Sequence, residues 1–261
     1  MNEVNKTLYI PLCGKSRVSK EDIILKDPSA ERIWTAEGFP LRGRAASKWL
    51  AYNMAMRARV FDGWTEAMLR QSPDAVVLHV GCGLDSRFER VKTPCACWID
   101  CDFPEVIELR RKYYRESERY HMRGLNAAAP EQIRTLPDGE SAVVVLEGLS
   151  MYLTNAQLRG FFETLLDKYA QLHVLMDVYT VLGAKASHFK NPINDVGVTR
   201  VYGVDDIERL LSGLRLRFKA ERSFTPDALV EELKAVDRRV FRLLFTGKAY
   251  GKIYRLLELE A

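Results

Sequence analysis

From residue 76 onward, short apolar runs alternate with amphipathic stretches in a regular rhythm. Apolar runs at 76–80, 95–99, 121–125, 142–146 and 173–178 are strand length, and helical patterning fills 104–117, 130–136 and 155–170 between them. The first run, Val76-Val77-Leu78-His79-Val80, lacks polar–apolar alternation, as expected of a parallel strand covered on both faces. Strand–helix alternation at this spacing implies right-handed crossovers and a parallel sheet. Thr154-Asn155-Ala156-Gln157 has capping-box spacing and marks a helix start. The end of the chain differs. Extended segments at 214–222 and 252–259 bracket one long helix over 226–244, with Thr225 as its cap and Pro226 in its first turn. Adding this pair to five parallel strands predicts a seven-stranded, mostly parallel sheet.

Residues 1–70 show no strand signal. Helical patterning covers 19–34 and 45–69, with polar breaks at Gly14-Lys15-Ser16 and Gly38-Phe39-Pro40. The expected organisation is a helical N-terminal cap over 1–70 and a ligand-binding α/β domain over 71–261. A polar stretch near 180–203, carrying Gly183, Pro192 and Gly197, is the expected lid.

The chemistry concentrates where the first strand ends. Gly81-Cys82-Gly83 lets the backbone turn sharply and approach a ligand with no Cβ in the way. Ser86-Arg87-Phe88-Glu89 then has the spacing of a helix start capped by Ser86. About twenty residues after Gly81, where an acidic ribose ligand falls in nucleotide-binding sheets, the second strand ends in Asp100-Cys101-Asp102. Either aspartate suits a ribose diol, and either could instead cap the helix opening at Pro104. Ser86 stands where dinucleotide binders want a third glycine, which argues against NAD. No Gly-Lys-Ser/Thr closes the turn, which excludes a P-loop. S-adenosylmethionine offers an adenosine without a phosphate and fits these residues best.

Composition narrows the picture further. With 47% hydrophobic residues, 261 residues suffice for one domain and an appendage. A net charge of +4, from 39 basic and 35 acidic residues, is too balanced for a nucleic-acid footprint. No apolar run approaches the length of a membrane span and no secretory segment is evident, so a cytoplasmic protein is expected, with neither nucleic acid nor membrane as partner. The cysteines lack CxxC spacing and the histidines lack metal spacing, so buried free thiols and no metal are expected. Monomer and homodimer both remain open.

Across most of its length the chain resembles the leucine carboxyl methyltransferase superfamily, and within it the bacterial O-methyltransferases of the tetracenomycin polyketide-synthesis type. The resemblance rests on residues 7–12, Leu25-Lys26-Asp27-Pro28, Arg57-Ala58-Arg59-Val60-Phe61-Asp62, the glycine turn, Asp102-Phe103-Pro104 and Glu147-Gly148-Leu149-Ser150-Met151-Tyr152-Leu153. It implies a class I, Rossmann-like methyltransferase using S-adenosylmethionine on an oxygen, often a carboxylate. By the same resemblance, Lys26 and Arg57 would meet the methionine carboxylate, with Arg59 a further candidate. Gly81 and Gly83 would line the methionine backbone, Asp102 or Asp100 would hold the ribose, and Glu147 would face the methionine ammonium. At Asn126, followed by Ala127, the family more often carries aspartate to meet the adenine amine, and an asparagine carbonyl can still accept that bond. His79 replaces an acidic or amide side chain and reads as a satisfied core histidine.

A carboxylate acceptor is already ionised at neutral pH, whereas a phenol usually requires a base. No such base stands out. His188, Tyr152 and Tyr179 are the candidates on the acceptor side. The expected activity is direct in-line methyl transfer to a small-molecule carboxylate or polyketide-like hydroxyl. The alternatives are methylation of a protein C-terminal carboxylate, or a module that binds the cofactor without turnover.

Overall fold

The computed structural model describes residues 6–190, 192–197 and 200–261. Among the described residues the long helices α1 (Tyr9–Lys20), α2 (Pro28–Glu37) and α3 (Lys48–Gln71) precede the sheet. Strands and helices then alternate through β1 (Val76–Val80), α4 (Arg87–Arg90), β2 (Cys97–Asp102), α5 (Pro104–Arg110), β3 (Tyr120–Gly124), α6 (Pro130–Ile133), β4 (Gly139–Leu146), α7 (Asn155–Lys168) and β5 (Tyr169–Tyr179). The remainder comprises α8 (Val181–Lys190), α9 (Ile207–Leu211), β6 (Arg217–Arg222), α10 (Asp227–Val230), α11 (Ala235–Phe245), α12 (Lys248–Gly251) and β7 (Tyr254–Glu260).

The strands form one sheet in the order β3-β2-β1-β4-β5-β7-β6. All neighbours run parallel except β7, which is antiparallel to both β5 and β6. Strand order reverses between β1 and β4, which opens a crevice at the carboxyl ends of the strands. The apolar run in β4 shows why alternation is missing. Ala142, Val144 and Leu146 pack with Leu158, Phe161 and Leu165 of α7, whereas Val143 and Val145 pack with Phe61, Trp64 and Met68 of α3. Both faces are therefore dry. Among the described residues no helix is long and apolar enough to cross a membrane, and no His, Cys, Asp and Glu side chains cluster to hold a metal ion.

The structure departs from the sequence pattern in several places, each with a local cause. The expected helix over 19–34 is split. Asp27 caps α2 by accepting from the Ala30 amide, Pro28 opens it, and Asp22 and Ile24 take left-handed backbone in the preceding turn. Gly14-Lys15-Ser16, expected as a break, lies inside α1. A Cβ on Gly14 would meet Ala51 Cα at 3.1 Å, so the glycine serves close packing of α1 on α3. Ser86 does not cap α4; its hydroxyl donates to Asp27, while Glu89 accepts from Ser29. The single helix expected over 226–244 is two, α10 and α11, with Pro226 preceding the first rather than opening it. The Thr154 capping box is present as expected, and Gly38, at φ 57°, ends α2.

Candidate active site

A cavity of about 650 Å³ opens over the carboxyl ends of β1, β2, β4 and β5, roofed by α1 and α3. Its polar end is built by the strand tips. Gly81 and Gly83 both adopt positive φ, and a Cβ on Gly81 would press on the Leu149 side chain at 3.1 Å, so only glycine fits this turn. Asp102 ends β2 beside it. Its carboxylate accepts from the backbone amides of Gly83 and Phe103, each at 2.8 Å, and has no salt-bridge partner among the described residues. Burial pushes this carboxyl up to about 6, against the pull of those two amides. Its remaining acceptor capacity is what a pair of vicinal hydroxyls would use.

Beneath the turn runs a chain of buried ionic contacts. Asp100 accepts from His79 Nδ1 at 3.0 Å, and His79 Nε2 lies 3.0 Å from Arg87 Nη1. Arg87 also donates to Glu147. Glu147 accepts from Arg57 Nε at 3.0 Å, and Arg57 Nη1 reaches Asp177 at 2.9 Å and Tyr254 at 2.7 Å. Tyr254 in turn donates to Asp177. Burial would raise the Glu147 carboxyl, yet Arg87 and Arg57 outweigh it and hold the group down at about 2. Burial lowers the pKa of His79, and its two contacts are met by the neutral ring protonated at Nδ1. It is a satisfied core histidine that also reaches the cavity wall.

Of the residues singled out from the sequence, the structure brings Arg57, Gly81, Gly83, Asp102 and Glu147 to the cavity, together with Tyr152 and Tyr179. The others it places elsewhere. Lys26 is exposed and contacts Ser19 and Asp22; it borders a second, polar depression that Arg59 also lines. The turn at 21–27 that splits the first two helices carries Lys26 away. Asp100 is fully buried and held by Arg110, Tyr120, Trp98 and His79, so it props the floor rather than facing the cavity. Asn126 turns its carbonyl onto the Ala128 amide at 2.9 Å, and Ala127 packs into the core. The side chain of His188 lies outside the described residues.

Lys15 was missed from the sequence. It lies buried in the cavity wall with Nζ 2.7 Å from Asp85. Its position inside a helix, four residues before the buried Ser19, would have flagged it, but Gly14 read as a break. Asp85 itself is held well below the carboxylate range: burial opposes this, and Arg90, Lys15 and Arg87 outweigh burial.

The other end of the cavity is apolar and aromatic, lined by Trp49, Leu50, Met54, Met151, Ile193 and Tyr250 among others. Burial pushes the phenols of Tyr152, Tyr250 and Tyr254 above their ordinary value. None of them is a base near neutral pH. Arg44, from a 3-10 turn over Gly43–Ala46, is exposed, also lines this cavity and has no ion pair among the described residues.

Comparison with known proteins bears on the family and the fold. The sequence profile of the family described as "Leucine carboxyl methyltransferase" matches residues 14–166. The tetracenomycin polyketide synthesis O-methyltransferase TcmP of Streptomyces glaucescens is 31% identical over 241 residues, covering 91% of this chain and 89% of that protein. An S-adenosyl-L-methionine-dependent methyltransferase, dpfgK, of Gibberella zeae is 28% identical over 69% of this chain and 66% of its own length. Among solved structures, magnesium protoporphyrin IX methyltransferase from Synechocystis with bound SAH superposes with a TM-score of 0.51 at 11% identity, over 88% of this chain and 92% of that one. This last likeness is one of fold.

Proposed function

This chain belongs to the leucine carboxyl methyltransferase family and is an S-adenosylmethionine-dependent methyltransferase, and we propose that it methylates an oxygen of a small acidic acceptor, a carboxylate first and a polyketide-like hydroxyl second. The observation that carries this reading is the single cavity joining a polar end at the strand tips to an aromatic end edged by Arg44. The polar end fits S-adenosylmethionine. Asp102 has unused acceptor capacity for a ribose diol, Gly81 and Gly83 leave the backbone open to close approach, and Lys15 and Arg57 stand as cations for a carboxylate. Glu147, kept ionised by its arginines, suits an ammonium group.

Bound there, S-adenosylmethionine supplies an activated methyl on a sulfonium. The protein's part is orientation: the acceptor oxygen must face the methyl from the side opposite the departing sulfur, and a well-oriented reaction gains about 7–11 kcal/mol from proximity. The aromatic wall excludes water and offers flat surfaces for a ring system. With Tyr152, Tyr250 and Tyr254 protonated, an acceptor ionised in advance needs no base, which favours a carboxylate or an acidic hydroxyl. The segment at 180–203, whose helix α8 places Gly183, Ala186 and Ser187 along the wall, is the proposed lid.

Isothermal titration with S-adenosylmethionine, S-adenosylhomocysteine and NAD tests the cofactor. The expected result is micromolar binding of the first two and none of NAD; binding of NAD alone would overturn the reading. Methyl transfer to aromatic carboxylic acids, compared with matched phenols, then tests the acceptor class. Turnover confined to the weakly acidic phenols would sink the preference for an acid.

A further inference from the structure

Among the described residues, the exposed large apolar side chains fall in only three short segments, and two of these side chains, Leu244 and Ile253, line the cavity. On α11, Val236, Val240, Leu243 and Leu244 recur at helical spacing and form one stripe, with Leu243 at 84% and Val236 at 75% exposure. The adjoining face of the same helix is buried: Phe241 packs edge-on against Tyr52 and stacks on Phe245. The helix therefore has more apolar surface than its fold can cover. The remaining members are Val181 and Leu182, at the start of α8, and Ile253, before β7. These two segments touch, because the Thr180 amide donates to the Ile253 carbonyl at 3.0 Å. Leu244, Gly183 and Ile253 all line the cavity, so the stripe leads to its opening.

Among the described residues the charges beside this patch that have no ion-pair partner are four cations against one carboxylate, Asp205, which accepts from the Val181 amide at 2.7 Å. Lys234 precedes α11, Arg239 lies on it, Lys252 adjoins Ile253 and Lys185 follows Leu182 by one turn; all four are exposed. The acidic groups nearby are already engaged: Glu231 holds Arg238 and Arg242, and Asp237 holds Lys48. Aliphatic tips that stand clear of the surface, edged by free cations, match the boundary between acyl chains and anionic headgroups.

We propose that α11, with the starts of α8 and β7, is a docking surface for an anionic lipid bilayer, on which the protein rests with its cavity mouth facing the membrane. An acceptor whose apolar body partitions into the bilayer while its acidic group stays at the interface would then reach the aromatic end of the cavity directly from the membrane. The lack of a spanning helix is no obstacle, since a helix that lies in the interface needs only one apolar face. This inference concerns attachment and does not depend on the identity of the acceptor.

Cosedimentation tests it. Full-length protein is mixed with vesicles of phosphatidylcholine containing roughly a third phosphatidylglycerol, and with phosphatidylcholine alone. The expected result is binding to the anionic vesicles that weakens with added salt. It should fall about tenfold in a Val236→Glu, Leu243→Glu variant, because two exposed apolar anchors become repelled charges. Both side chains lie outside the cavity wall, so the variant should bind S-adenosylhomocysteine as the parent does. That titration separates failure of this inference from failure of the cofactor reading. No binding of the parent to anionic vesicles, or equal binding of the variant, overturns the proposal. So does a dimer in analytical ultracentrifugation that the two substitutions abolish while vesicles capture neither protein, since the patch would then belong to a second copy or another protein.

Discussion

The two ends of the cavity are made by opposite strategies. At the polar end, carboxylates at the tips of adjacent parallel strands are held in buried ion pairs by Arg57 of α3 and Arg87 of α4. At the aromatic end, the wall is gathered from α3, α8, α11 and the loops beside them, and it holds by packing of rings and aliphatic groups. The first arrangement fixes charge in space, which suits a ligand that never changes. The second can be altered residue by residue without disturbing the sheet.

The largest effect should come from breaking the polar end. Arg57→Met leaves Asp177 without its cation and Glu147 with Arg87 alone, and truncating one partner of a buried pair costs about 3–5 kcal/mol. Urea unfolding should show this loss; an unchanged midpoint would mean that the ion pairs do not hold the floor. Asp102→Asn should act differently, because Asp102 has no cation to orphan. One of the two amides it accepts from would then face an NH2 donor, so stability should fall by about 1–3 kcal/mol, less than for Arg57→Met, while S-adenosylhomocysteine affinity falls by about 1.5–3 kcal/mol, the worth of hydrogen bonds to a charged acceptor.

A pH series sharpens the same point. Burial raises the Asp102 carboxyl to about 6, and hydroxyl donors of a ligand favour its ionised form. Ligand affinity should therefore rise from pH 5 to 7 and level off above, while Asp102→Asn should flatten that rise. For the free protein the sign is reversed. Its folded state holds the proton to higher pH than the unfolded chain, so the stability this group contributes declines as pH climbs toward 6. An affinity that falls from pH 5 to 7 would contradict the assignment.

Lys15→Met should be milder, since Asp85 keeps Arg90 at 2.7 Å and Arg87 at 3.3 Å. Binding of S-adenosylmethionine should drop severalfold while methylthioadenosine, which lacks the amino-acid carboxylate, binds as before. Equal losses for both would point to a general change in the wall. The smallest effect belongs to the aromatic end: Arg44→Gln should raise KM severalfold for carboxylate acceptors and leave S-adenosylhomocysteine titration unchanged. If KM for acids is unmoved, Arg44 does not orient them.

The same division explains what could be read in advance. The central strands and the glycine turn were legible because a doubly covered strand leaves an uninterrupted apolar run, and the polar ends of two such runs are where the structure puts Asp102 and Glu147 on the cavity wall; the edge strands β3 and β6 carry no such run. Lys15 was not, because Gly14 reads as a helix breaker in isolation and only its packing against Ala51 shows why it sits inside α1. Asp100 and Asp102 are two residues apart, and no local pattern says which is taken by Arg110, whose contact depends on α5 folding back over β2. The joining of Arg87, Asp177 and Tyr254 to Glu147 and Arg57 is likewise tertiary. Their separation along the chain hides it. Lys26 failed for the reverse reason: its neighbours match a motif, but the turn from 21 to 27 points it outward.

The row of contacts from Asp100 through His79, Arg87, Glu147 and Arg57 to Asp177 and Tyr254 crosses the sheet at right angles to its strands, touching β2, β1, β5 and β7 and the tip of β4. It acts as a tie-beam under the crevice. Strands that would otherwise splay apart one at a time are clamped at the end where the sheet is open, so the amides of β1 and β4 should exchange with deuterium only when the whole sheet melts. Arg57 is carried by α3, so this helix is fastened to the same beam as the strands beneath it.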